Sequence, residues 1–70
     1  MQYELGRCFL QDILDKKGWS QQDLADRMGW DRRKVSEYCT ARRKMSLATA
    51  FSVADTLKVD IRQLYELKPL

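Results

Sequence analysis

Gly29 stands between two short segments of matching design in "SQQDLADRMGWDRRKVSEY", Ser20 to Tyr38, and this stretch restricts the chain more than any other. Ser20 reads as a helix N-cap with Asp23 three residues on, an acidic variant of the capping box that suits the positive end of a helix dipole. The helix it starts, Gln21 to Met28, turns Leu24, Ala25 and Met28 inward, and Gly29 supplies the left-handed backbone that ends it. Asp31 is the next N-cap, and Val35, Tyr38 and Cys39 form the i, i+3, i+4 apolar edge of a following helix. On its other side Arg32, Ser36 and Thr40 recur every four residues, with Arg33 and Glu37 alongside and Lys34 at the flank. The polar side chains therefore make one exposed stripe.

The flanking segments are also helical in period. Leu5, Phe9, Leu10, Ile13 and Leu14 recur at intervals of three and four, which predicts a helix from Leu5 to Lys17, ended by Gly18. "ARRKMS" is a short connection, after which Ser46 caps a helix with Leu47, Ala50, Phe51, Ala54 and Leu57 at helical spacing. "KVD" turns the chain, Asp60 caps a last short helix through Ile61, Leu64 and Tyr65, and Pro69 marks the end. No alternation of apolar and polar residues indicates a strand. The expectation is an all-α fold of five helices in one domain spanning residues 1–70.

Composition removes several function classes. Seventy residues suffice for one small core, burying about 60% of what the unfolded chain exposes. With 44% hydrophobic and 33% charged residues the chain reads as globular. No apolar run approaches the roughly 20 residues that span a bilayer, and "MQYELGRC" lacks the order of a signal peptide, so a cytoplasmic location is expected. Cys8 and Cys39 read as buried free thiols rather than a disulfide. With no histidine and only two separated cysteines a zinc site is not expected, no Ser-His or Cys-His nucleophile pair is available, and Asp12 and Asp15 sit beside lysines as a solvated face. No catalytic constellation, metal or cofactor is expected. Charge is more telling: residues 31–44 carry six basic side chains against two acidic ones, a net +4, which leaves −1 for the rest of a chain whose total is +3.

Two short helices joined around a glycine, the second with a basic polar face, form a helix-turn-helix arrangement. Its demands can be named: a small residue where the helices cross, which is Ala25; a turn-forming residue, Gly29; and inward apolar side chains, which are Leu24, Met28, Trp30, Val35 and Tyr38. From Leu10 to Tyr65 the sequence further resembles the five-helix, lambda-repressor-like Cro/C1-type (XRE-like) DNA-binding domain, without a gap. "GWSQQDLADRMGW" is similar to the family pattern G-l-S-Q-x-x-L-A-x-x-x-G-v, and Val35-Ser36 to its "VS". "SLATAFSVADTLKVDIRQLY" is similar to s-l-x-x-l-x-x-i-A-x-x-L-x-v-x-x-x-x-L. The chain departs where many members carry Glu, Gly and Pro and it has Cys39, Ala41 and Met45. Replacing that glycine by Ala41 matters because alanine resists positive φ.

The resemblance implies that the helix after Gly29 enters the major groove, within a helix-turn-helix core at 21–40. Base readout then falls to Arg32, Arg33, Ser36 and Glu37, arginine being suited to guanine and a carboxylate to the cytosine amino group. Glu37 has a second possible role, pairing with Arg33 at i, i+4. Backbone contacts fall to Gln21, Lys34, Thr40, Arg42, Arg43 and Lys44, and the Gln21 position also braces the recognition helix in the family. Trp19, Trp30 and Tyr38 are expected in the core rather than stacking on bases. Tyr65, Leu67 and Leu70, left over near the end of the chain, are the expected dimer surface. The implied partner is double-stranded DNA and the implied function a sequence-specific transcriptional regulator, a repressor acting as a homodimer on an inverted repeat. A DNA-binding antitoxin, or a protein-interaction module on the same scaffold without DNA, are the alternatives; the localised +4 speaks against the latter.

Overall fold

Side-chain caps decide where the second, third and fourth helices begin. In the computed structural model, which describes residues 2–70, the order is β1 (Tyr3–Cys8), α1 (Leu10–Lys17), α2 (Gln21–Met28), α3 (Arg32–Cys39), α4 (Leu47–Leu57), a 3₁₀ turn (Ile61–Gln63) and β2 (Tyr65–Pro69). At α2 the box closes fully: Ser20 Oγ accepts from the Asp23 N–H at 3.0 Å and Asp23 Oδ2 accepts from the Ser20 N–H at 2.9 Å. Asp31 Oδ1 accepts from the Arg33 N–H at 3.0 Å and starts α3, and Ser46 Oγ accepts from the Thr49 N–H at 3.2 Å and starts α4. Gly29 ends α2 at φ 70°, the left-handed value its place in the turn requires.

The expected five-helix, all-α architecture needs correction at both ends. Leu5 belongs to a strand, α1 starts at Leu10, and the fifth helix is a single 3₁₀ turn followed by β2. The two strands pair antiparallel with Tyr3 opposite Pro69, Glu4 opposite Lys68, Leu5 opposite Leu67 and Cys8 opposite Tyr65, and the register shifts between Leu5 and Cys8. At that irregularity the Glu66 carboxylate accepts from the Arg7 N–H at 3.2 Å. It lies across Gly6, where a Cβ would collide with it and with the end of the Lys68 side chain. The apolar content of each strand alone is too small to signal a sheet; it is the pairing of the two ends that gives each its partner.

Leu10, Leu14, Leu24, Val35, Val53, Leu57 and Leu64 are fully buried and join all four helices and the 3₁₀ region in one core. Tyr65 also belongs to it. Expected among the side chains left over for a dimer surface, it is instead 9% exposed, and its hydroxyl accepts a hydrogen bond from the Met45 N–H at 3.1 Å. Burial raises the Tyr65 phenol above its usual range, against the lowering effect of that Met45 hydrogen bond. A proline at position 45 would have no N–H to give, so the departure at Met45 is what ties β2 to the start of α4. No helix among the described residues is long and apolar enough to cross a membrane.

Helix α4 buries Ala50, Val53, Ala54 and Leu57, whereas Leu47 and Phe51 are 79% and 64% exposed. Phe51 fits the helical spacing but lies about 100° around the axis from the middle of the buried face. It therefore reaches past the core instead of into it.

Candidate nucleic-acid interface

The positions that a helix-turn-helix must keep apolar pack as such. Leu24, Ala25 and Val35 are completely buried, Tyr38 nearly so, and Met28 and Trp30 are half-buried against the same core. The Trp30 and Tyr38 rings meet at 5.5 Å with a 49° tilt, fixing the turn against the outer part of α3. Trp19 is half-buried too, with the Arg27 guanidinium 5.2 Å from its ring centre. An α3 held this way has one direction left open, and the polar stripe occupies it.

On that stripe Arg32 and Arg33 are exposed and Ser36 and Glu37 are half-buried. Among the described residues neither arginine side chain forms an ion pair. The i, i+4 pairing of Glu37 with Arg33 is replaced by an ion pair to Arg43, whose guanidinium lies 3.2 Å from the Glu37 carboxylate. Lys34 turns away from the stripe and places its ammonium 4.5 Å from the centre of the Trp30 ring. The Thr40 hydroxyl donates to the Ser36 carbonyl at 2.9 Å, so this exposed side chain is spent on closing α3.

Gln21 ties α2 to α1. Its Nε2 donates to Gln11 Oε1 at 2.7 Å, and Gln11 in turn donates to Asp15 at 2.8 Å, linking α2 to α1. The Gln21 side chain also lies near the Cys39 thiol on α3, where it favours the thiolate. Burial raises the Cys39 thiol to about 11, helped by the neighbouring Cys8 thiol and Asp15 carboxylate and opposed by that Gln21 contact. Both cysteines are free thiols.

The chain leaves α3 through Ala41 at φ 61°, a left-handed conformation on a residue with a Cβ. That bend brings the Arg42 and Arg43 N–H groups onto the Glu37 carbonyl at 3.0 and 3.2 Å. Arg42, Arg43 and Lys44 are consequently exposed next to the C-terminal end of the stripe. The Lys34–Trp30 contact was within reach of sequence reasoning, since the two residues are four apart. The Arg43–Glu37 pair was not, because it depends on the path of the bend.

Arg32, Arg33, Ser36 and Glu37 thus share one face, Arg42 to Lys44 follow it in the chain, and Gln21 lies on α2 with its side chain bonded to α1. Leu67 lies on β2 and Leu70 just past its end, both outside this face. The arrangement presents cationic and hydrogen-bonding groups on a rigid helix with an apolar floor beneath, which is what contact with base edges and phosphates requires.

Comparison with known proteins agrees with this geometry. The Helix-turn-helix family model matches residues 10–64. Among solved structures, one described as a "putative DNA-binding protein" from Bacteroides fragilis superimposes with a TM-score of 0.81 at 30% sequence identity, covering 86% of this chain and 97% of that one. No curated protein matches.

Proposed function

The chain belongs to the Cro/C1-type helix-turn-helix family, and from that premise we propose that it is a repressor that binds an inverted-repeat operator as a homodimer. In this reading α3 lies in the major groove. Arg32 and Arg33 read guanine, Ser36 and Glu37 adjust the choice of neighbouring bases, and Arg42, Arg43 and Lys44 meet phosphates. Lys34 swings from the Trp30 ring to lend its charge at the margin of the groove, Thr40 reaches a phosphate only by giving up its bond to the Ser36 carbonyl, and Gln21 contacts a phosphate at the start of α2. The observation that carries the proposal is the pair of exposed arginines on an α3 whose opposite face is locked by Val35 and Tyr38.

One recognition helix brings only three or four side chains to base edges, too few to select a site in a genome. A second copy one helical turn away, roughly 34 Å, supplies the rest. The molecule's longest dimension is 37 Å, which suits two copies side by side over successive major grooves. Occupancy of such a site excludes other proteins from the same duplex, and repression is the direct consequence. Selection of bound fragments from a random duplex pool tests the proposal. The expected product is an inverted repeat with half-site centres about 10 base pairs apart; recovery of no preferred sequence would refute it.

A further inference from the structure

Three large apolar side chains that the core leaves exposed, Leu5, Leu47 and Leu67, line one groove, and a fourth, Phe51, stands one helical turn along α4 from Leu47. Leu47 and Phe51 project from the first turns of α4, 79% and 64% exposed, and Leu5 and Leu67 face each other across the sheet at 42% and 45%. Between α4, the 3₁₀ turn and the sheet lies a groove of about 330 Å³, with Leu5, Met45, Leu47, Ile61 and Leu67 in its walls. We infer that this groove and the side chains beside it form the surface on which a second copy of the chain docks. The inference rests on the homodimer reading above and gives it a location.

Area favours a second copy as the occupant. At roughly 150–200 Å² for a fully exposed large apolar residue, those exposed fractions amount to on the order of 400 Å². That falls within the roughly 300–600 Å² of the largest patch on a monomer, a patch that is often functional. It also approaches the apolar share, about 57%, of the roughly 800 Å² that each partner contributes to an ordinary stable interface.

Shape points the same way. A two-fold interface is built from one patch used twice, so the patch must contain both a projection and a recess. Leu47 and Phe51 supply the projection directly beside the groove that supplies the recess. The charged residue in the groove wall, Arg62, is already paired with Asp60 at 3.0 Å, so nothing there calls for an anionic partner. No residue of the α3 stripe lines the groove, so docking leaves both recognition helices free.

The patch differs from the expected terminal surface of Tyr65, Leu67 and Leu70. Leu67 is part of it, Tyr65 is buried beneath it, and Leu70 follows the end of β2 and is not in the groove wall. Sedimentation of the whole chain, from low micromolar to submillimolar concentration, separates the possibilities. The unmodified chain is expected to be dimeric. Leu47→Ser with Phe51→Ser should raise the dissociation constant a hundredfold or more with helical circular dichroism unchanged, since both side chains are exposed. Leu70→Ser should leave it unaltered.

A chain that is monomeric throughout overturns the inference and assigns the groove to a different partner. A dimer that survives the double substitution also overturns it, by placing the contact elsewhere. Binding of the same double variant to a duplex holding one half-site separates this question from DNA recognition. Undiminished half-site affinity with lost self-association is the expected result. Failure of the unmodified dimer to bind any duplex would refute the DNA reading and leave the docking surface standing.

Discussion

The Arg43 guanidinium lies 3.2 Å from the Glu37 carboxylate, joining a residue of the loop after α3 to a residue of its exposed stripe. Arg43 is therefore not a free cation when DNA arrives. An exposed pair of this kind stabilises the fold by only about 0.2–1 kcal/mol, so its consequences belong to binding. Glu37→Gln should release Arg43 and raise affinity for random duplex while shifting the base preferred opposite position 37. Arg43→Ala should weaken selected and random duplexes alike and reduce the salt slope by about one. Fluorescence anisotropy titrations over a salt series measure both; an unchanged random-duplex affinity for Glu37→Gln would show that the pair does not restrain Arg43.

Arg32 and Arg33 have no such tether within the stripe. Arg32→Ala and Arg33→Ala should each cost roughly 1–3 kcal/mol on the selected site and little on random duplex. For the unmodified chain, affinity should fall on the order of 10³-fold between 50 and 200 mM salt if about six phosphates are contacted. Equal losses on both duplexes would demote the arginines to phosphate contacts.

Ala41 stores strain. At φ 61° its Cβ crowds the backbone, a cost of roughly 1–2 kcal/mol that glycine lacks, less the greater freedom glycine gains when unfolded. Ala41→Gly is expected to raise the melting temperature by several degrees. Lys58, which ends α4 at φ 59°, provides a control in Lys58→Gly, which should behave the same way. Thermal denaturation followed by circular dichroism decides it, and a lower melting temperature for Ala41→Gly would contradict the strain.

The Tyr65 hydroxyl serves the Met45 N–H. Tyr65→Phe leaves that buried donor without its acceptor, at a cost of about 1–3 kcal/mol. Urea unfolding should show the loss in midpoint with little change in slope. A variant as stable as the parent would mean that water replaces the hydroxyl.

Burial holds the Cys39 thiol up at about 11, against an ordinary value of 9.0. A group raised in the folded state contributes stability that is complete below its unfolded value and is lost as pH rises through the folded one. Stability should accordingly decline from about pH 9 towards 11, and Cys39→Ala should flatten that decline, with alkaline titration of Tyr65 remaining. Thiol labelling at neutral pH should be slow, because the thiolate is the reactive form. Rapid neutral labelling of Cys39 would place it outside the core.

The helix-turn-helix was legible in the sequence because its determinants are local. Ser20 with Asp23, Asp31 with the Arg33 N–H, and Gly29 with its positive φ act across three residues or fewer, and the burial of Leu24, Ala25, Val35 and Tyr38 follows from helical period alone. The direction of the stripe follows from that burial. What tertiary structure decided lies where partners are distant or orientation depends on a third element. Leu5 looked helical by spacing but pairs with Leu67, and only closure of the chain brings these strands together. Tyr65 looked like a surplus terminal aromatic until the loop placed the Met45 N–H above its hydroxyl. Leu47 and Phe51 had the spacing of core residues, yet the finite width of the face that α4 buries left them outside. A hydrophobic period tells which side chains share a face; which of them find cover depends on what the rest of the chain packs against it.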